Sequence, residues 1–389
     1  MASVRLVRRH LFGALLPLAM LARYGGSVAA QSVEGFDLDA ALAGIQATLD
    51  ARVAAIAAQD EAALLATIDL RNATWRRIQR GRLPLEQGLL YRVTDARPLF
   101  GGYAKAALDV APLEGDQSQV LGQAVWVYHQ GDDGQWLLAE PLSEELAQRK
   151  LLATPHFALR YYAWDDEWID RLSALVEQVY EAVTATLQQR TDLKATLYVS
   201  PTYASAPQLS SGLVGALYNR SSGDTIWFFS PESFGAGILA PGRTQEEHLL
   251  PTFTHEYTHL VHDHAVPLAK QPLWLLEGLA EYVAGNLHPE IVREALRANH
   301  LVALEKASDI IQRAANPSSG YAFADLSLAY AEGAHAVAFL VRQYTWERFW
   351  ALARDYAGSQ NWAESAQRVL GQPWATVDAE WQRWLRAQF

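Results

Sequence analysis

Cysteine is missing from all 389 residues. That excludes disulfides, thiolate metal sites and a cysteine nucleophile, so any metal must sit on histidine and carboxylate side chains. An excess of basic residues is missing too: 32 Lys and Arg stand against 43 Asp and Glu, a net charge of −11. Nucleic-acid binding draws on clustered Lys and Arg, and an anionic membrane surface draws on a polybasic patch, so neither is expected as a partner. No internal repeat or low-complexity tract occurs. Half of the residues are apolar and 19% are charged, an ordinary globular balance. The thirteen Trp read first as core and interface material.

Long apolar runs are also scarce. The one near the start, Leu11 to Leu21, follows Arg5, Arg8 and Arg9 and precedes the small residues Val28-Ala29-Ala30. About a dozen apolar residues are too few to span a bilayer, so residues 1–30 read as a signal peptide, with an uncleaved anchor as the competing reading. The Arg8-Arg9 pair leaves Sec and twin-arginine export both open. Export implies a periplasmic or extracellular product with no stable membrane anchor after cleavage. Removing residues 1–30 takes away four Arg and no acid, leaving 28 basic and 43 acidic residues, a net −15.

The remaining length suits two domains. Between Leu38 and Arg80 apolar residues recur at helical spacing (Leu42, Ile45, Leu49, Val53, Ile56), which predicts one or two amphipathic helices. Strand-like segments follow at Leu89–Val93, Gly102–Val110, Gln119–His129 and Gln135–Leu138, with a turn at Gly131-Asp132-Asp133-Gly134. Helices followed by an antiparallel sheet resemble the small NTF2-like or cystatin-like domains. Residues 31–150 are therefore read as an accessory α+β domain, a candidate for recognising a protein partner.

From residue 151 to 389 the pattern changes. A strand at His156–Tyr162, a helix from Asp166 to Arg190, a strand at Ala195–Ser200 and a hairpin of Gly212–Asn219 and Thr225–Ser230 predict a small mixed sheet. An all-helical remainder follows, with Pro251, Pro272 and Asp325 standing where helices can begin. The fold class is α+β.

Chemistry concentrates in that remainder. Thr254-His255-Glu256-Tyr257-Thr258-His259 contains His-Glu-x-x-His. On a helix, residues four apart share a face, so His255 and His259 can present two imidazoles to one ion while Glu256 sits beside the pair. Glu277 and Glu281, in Trp274-Leu275-Leu276-Glu277-Gly278-Leu279-Ala280-Glu281-Tyr282, are also four apart, on a second helix starting at Pro272 and stopping at Gly285-Asn286. Two acids on one face repel unless a cation lies between them and their neighbours. A helix with a surface His pair is the bland alternative.

The two motifs together resemble the gluzincin metallopeptidases of the peptidase MA-like kind, over residues 153 to 389. The resemblance implies a zinc ion on His255, His259 and Glu277, with Glu256 as catalytic base and Glu281 orienting a ligand imidazole. Three protein ligands leave the fourth position open, as in catalytic zinc sites. For the donor that stabilises the oxyanion, related enzymes suggest Tyr330, with His335 second and a plain core Tyr as the alternative. Gly215-Ala216-Leu217-Tyr218-Asn219 stands where aminopeptidases of this group carry Gly-Ala-Met-Glu-Asn on an edge strand. This makes Gly215, Tyr218 and Asn219 candidate substrate-binding residues. Tyr218 replaces the Glu that grips a free amine, which favours an endopeptidase. His262 and His264 read as solvent or outer-layer residues and Asp263 as a local cap, while His248 is given no role. The competing functions are an aminopeptidase, a hydrolase of non-peptide amides, or a metal-containing binding module without catalysis.

Overall fold

The computed structural model describes residues 36–146, 148–203, 205–206, 216–230, 245–314 and 323–389. The expected signal peptide lies outside them, as does Gly215. Helix α1 (Leu38–Ala58) starts at Asp37, whose carboxylate accepts from the Ala40 N–H, and it buries Ile45, Leu49, Val53 and Ile56 on one face. Short α2 (Glu61–Leu65) and longer α3 (Ala73–Glu86) follow, so the predicted helical stretch is three helices. Strands β1 (Leu89–Pro98), β2 (Tyr103–Pro112), β3 (Gly122–Gln130) and β4 (Trp136–Leu138) form an antiparallel meander in sequence order. Gly134, at φ +83°, closes the β3–β4 turn.

A second sheet begins at β5 (Arg149–Ala153), which sequence pattern missed because this edge strand is largely exposed and lacks apolar alternation. Strands β6 (Phe157–Tyr162), β7 (Ala195–Ser200), β8 (Ala216–Asn219) and β9 (Thr225–Phe229) complete it in the order β5-β6-β7-β9-β8. β6, β7 and β9 are parallel; β8 runs antiparallel to β9 and forms an edge. Helix α4 (Ile169–Leu187) supplies the crossover between β6 and β7.

The helical remainder is α5 (Gln245–Ala265), α6 (Leu273–Ala284), α7 (Pro289–Arg297), α8 (Leu304–Ala314), α9 (Phe323–Ser359), α10 (Trp362–Val369) and α11 (Trp374–Gln388). Two expected starts move. Pro251 lies inside α5, where it removes one helical hydrogen bond, and buried Leu249 and Phe253 on either side keep the helix packed through that gap. Asp325 falls in the first turn of α9, two residues past its start. Thr345 interrupts α9 with φ 72° and ψ 161°, so the chain bends there. Pro272 and Gly285 bracket α6 as its N-cap and left-handed C-cap, as the sequence indicates.

Buried apolar residues form two clusters, one between α1–α3 and the first sheet, the other between the second sheet and the helices. Within the second, α6 and α9 meet backbone to backbone. A Cβ added to Gly278 would lie 2.4 Å from the Gly333 carbonyl carbon, and one on Gly333 would lie 2.6 Å from the Trp274 oxygen. Both positions require glycine because the neighbour is main chain, which cannot rotate aside.

Gly278→Ala is therefore expected to destabilise the protein by about 2 kcal/mol or more in denaturant unfolding. Gly358→Ala is the control: its Cβ would meet nothing within 4 Å, and the change should be neutral or stabilising by up to about 1 kcal/mol. Equal effects from the two would show that the α6–α9 contact is not limiting.

Candidate functional site

Helices α5 and α6 bring the two motifs face to face. His255 Nε2 lies 3.1 Å from Glu277 Oε2 and 3.1 Å from His259 Nε2, and His259 Nε2 lies 3.6 Å from Glu277 Oε2. One ligand atom from each of these three residues falls within 4.8 Å of the others, the one such cluster among the described residues. On its other side, His255 Nδ1 sits 3.1 Å from Glu281 Oε1. A proton on Nδ1 facing Glu281 leaves Nε2 turned toward Glu277 and His259, the tautomer and orientation a metal ligand needs. The donor set of two imidazoles and one carboxylate fits zinc.

Burial disfavours charge on His255, yet hydrogen bonds to Glu277 and Glu281 hold its imidazolium well above the ordinary histidine range. Burial likewise works against ionised Glu277, and the facing His259 and His255 more than offset it, holding that carboxyl below the usual range.

The Glu256 carboxylate stands outside the three-ligand cluster. Its Oε2 accepts from the Tyr218 main-chain N–H at 2.7 Å. Tyr330, on α9, reaches in with a hydroxyl that hydrogen-bonds Glu277. Burial, then the charges of Glu277, Glu281 and Glu256, push its phenol upward and keep it protonated. The Gly278–Gly333 contact is what brings α9 close enough for this. His335 lies elsewhere, against Phe389 and hydrogen-bonded to the Leu287 backbone.

The edge strand differs from its sequence reading. The Tyr218 side chain is 8% exposed, with its hydroxyl 3.0 Å from both Asp224 Oδ1 and Asp263 Oδ2. Its hydroxyl is spent inside the protein, and its main-chain N–H is already donated to Glu256, so the side chain is not offered to a substrate. Asn219 Oδ1 accepts from Ser221 Oγ in the adjoining turn. His264 pairs with Asp224 at 3.0 Å. His262 is not solvent-facing: it is fully buried with its ring edge against Trp350, and burial lowers its pKa to about 3. Asp263 caps the Leu268 N–H, as a local reading suggests, but also binds Arg220 and Tyr218. Asp224, Arg220 and Asp263 were missed as a group because their link runs between chain segments about 40 residues apart, and short motifs do not report such contacts.

Residues 247–387 match the family model described as Peptidase MA superfamily. The matched stretch contains three of the four elements of the site, α5 from residue 247 on, α6 and α9, and leaves out β8. No curated protein is significantly similar to the chain.

In the ion-free protein, raised His255 contributes stability that is complete below the ordinary 6.5 and is lost as pH rises through its folded value. Depressed Glu277 contributes stability present above the ordinary 4.5 and lost as pH falls through its folded value. Zinc must displace the proton on His255, so zinc binding near pH 7 should release protons and should weaken between pH 8 and pH 6. Calorimetry in two buffers of different ionisation enthalpy measures this directly; buffer-independent heats would contradict it. Glu281→Gln should weaken zinc binding by about 10- to 100-fold.

Proposed function

We propose that this protein is an exported zinc metallopeptidase that cuts within peptide chains. The observation that carries the proposal is the convergence of His255, His259 and Glu277 within 4.8 Å, with two further groups suited to amide hydrolysis, Glu256 and Tyr330, beside them. A zinc ion held by those three residues would leave a position for water and polarise the scissile carbonyl.

The chain's own residues supply the rest. Glu256 accepts the proton of the attacking water and passes it to the leaving amine. Tyr330 donates its hydroxyl hydrogen to the carbonyl oxygen as negative charge develops there. Glu281 fixes the His255 ring. Strand β8, at the edge of the sheet, aligns an extended peptide through main-chain groups other than the Tyr218 N–H, and such groups read no chain end. Endopeptidase activity is favoured over aminopeptidase activity because position 218 offers no carboxylate for a free amine, and the Tyr there is tied to Asp224 and Asp263.

Residues 1–30 act as the export signal, so the enzyme works in the periplasm or outside the cell. Residues 31–150 serve as an accessory domain that recognises a protein partner or substrate.

A mixed peptide library incubated with the zinc-loaded protein should show internal cuts, including in peptides with acetylated amino termini. Release of single residues from free amino termini alone would identify an aminopeptidase instead. Glu256→Gln should keep zinc and fold while lowering turnover by about 10²- to 10⁴-fold. Tyr330→Phe should lower kcat by about a hundredfold with little change in KM; a native rate would return Tyr330 to the core.

A further inference from the structure

Tyr218 is attached to α5 at two points. Its main-chain N–H holds Glu256 Oε2 at 2.7 Å, and its hydroxyl lies 3.0 Å from Asp263 Oδ2. Glu256 and Asp263 are seven residues apart on one helix, so they occupy the same face two turns from each other. The second anchor is cross-braced. Asp263 Oδ1 also accepts from Arg220 Nη1 at 2.8 Å and from the Leu268 N–H at 2.9 Å. Asp224 Oδ1, 3.0 Å from the same Tyr218 hydroxyl, faces His264 Nε2 at 3.0 Å. Arg220 and Asp224 lie in the turn of the β8–β9 hairpin, while His264 lies in the last turn of α5 and Leu268 just beyond it. Asp263 is only 5% exposed, which shields these bonds from competing water.

Two attachment points remove freedoms that one leaves. With the N–H bond alone, β8 could still slide or pivot relative to α5, and the Glu256 carboxylate, on a side chain with several rotatable bonds, would follow it. The hydroxyl bond fixes the distance along the helix at which the strand sits. We propose that Tyr218 is a positioning residue for Glu256: the hydroxyl clamp on Asp263 and Asp224 sets the register of β8 against α5, and the main-chain N–H transmits that register to the carboxylate. The proposal rests on the reading of Glu256 as the general base. It gives the hydroxyl at position 218 a role in turnover without contact with the substrate's side chains.

The purified mature chain with zinc loaded, its Tyr218→Phe variant and its Asp263→Ala variant test this. Phe keeps the ring and the main-chain N–H and removes only the hydroxyl. Asp263→Ala removes the acceptor that this hydroxyl finds on α5, so it makes the second comparison if Tyr218→Phe does not fold. Three measurements are made on each: zinc content, kcat and KM on one cleaved peptide, and hydrogen exchange across residues 216–219. Tyr218→Phe is expected to keep zinc and to lower kcat by about ten- to a hundredfold, since small misplacements of a reacting group cost that much, with KM within about twofold. Exchange at 216–219 should speed up. Adding Tyr218→Phe to Glu256→Gln should lower residual turnover no further, because the clamp acts through the residue already lost.

A native kcat in Tyr218→Phe overturns the proposal. A loss confined to KM or to zinc content also overturns it, because either would make the clamp merely structural or substrate-facing. If the wild-type protein cuts no peptide, the peptidase reading fails separately, and exchange decides the clamp: Glu256→Ala must speed exchange at Tyr218, and Tyr218→Phe must loosen 216–219. Failure of either removes the linkage.

Discussion

The structure turns on the confinement of two carboxylates and two imidazoles between α5 and α6. Glu277 and Glu281 each lie within 3.1 Å of His255, on opposite ring nitrogens, and all four side chains are largely withdrawn from water. Burying charge is costly unless partners replace the lost hydration, and here each of the two acids faces a ring nitrogen of His255. The rest of α6 follows from that need. One face carries the acids. The other buries Trp274, Leu275 and Leu279, and Gly278 between them lets α9 lie against the helix with no side chain in the way.

The same constraint explains why the site needs support from outside the two motif helices. The two helices bring the His and Glu side chains together, but the groups around this cluster are met from other elements. Tyr330 arrives from α9 through the glycine contact, and Glu256 is met by the edge strand. The far ends are secured in turn: Trp350 Nε1 donates to the Leu187 carbonyl at the end of α4, and Gln271 Nε2 donates to the Ala353 carbonyl. These bonds tie the stretch beyond the Thr345 break of α9 back to the sheet-covering helix and to the start of α6.

What was legible in the sequence is what helical periodicity encodes. Positions four apart on one helix face must be neighbours, so His255 with His259 and Glu277 with Glu281 could be paired before any fold was known. The α+β class, the hairpin of β8 and β9 and the limits of α6 were readable from turn residues and alternation. Three things were not. Pro251 suggested a helix start because its local preference is for a first turn, and packing of the surrounding apolar residues overrode it. Strand β5 carries almost no apolar signal because its side chains face water. The direction of the Tyr218 side chain depends on Asp224 and Asp263. One of these lies in the adjoining turn and the other 45 residues away, and no spacing rule links a strand residue to an acid at the end of a later helix.

The N-terminal body also bears on the edge strand, through the chain that leads to it. Glu140, buried just after β4, accepts from Asn72 Nδ2 at 2.6 Å and from the main-chain N–H of Tyr203. Tyr203 and Ala206 follow β7, and Phe229 ends β9; all three join the apolar cluster of the first sheet rather than that of the helices. The excursion from β7 through β8 to β9 therefore begins and ends on the N-terminal body, while its middle, at Tyr218 and Arg220, is fastened to α5. The strand that meets Glu256 thus takes its position from both halves of the chain, which makes residues 36–146 part of the framework of the site and more than an appendage to it.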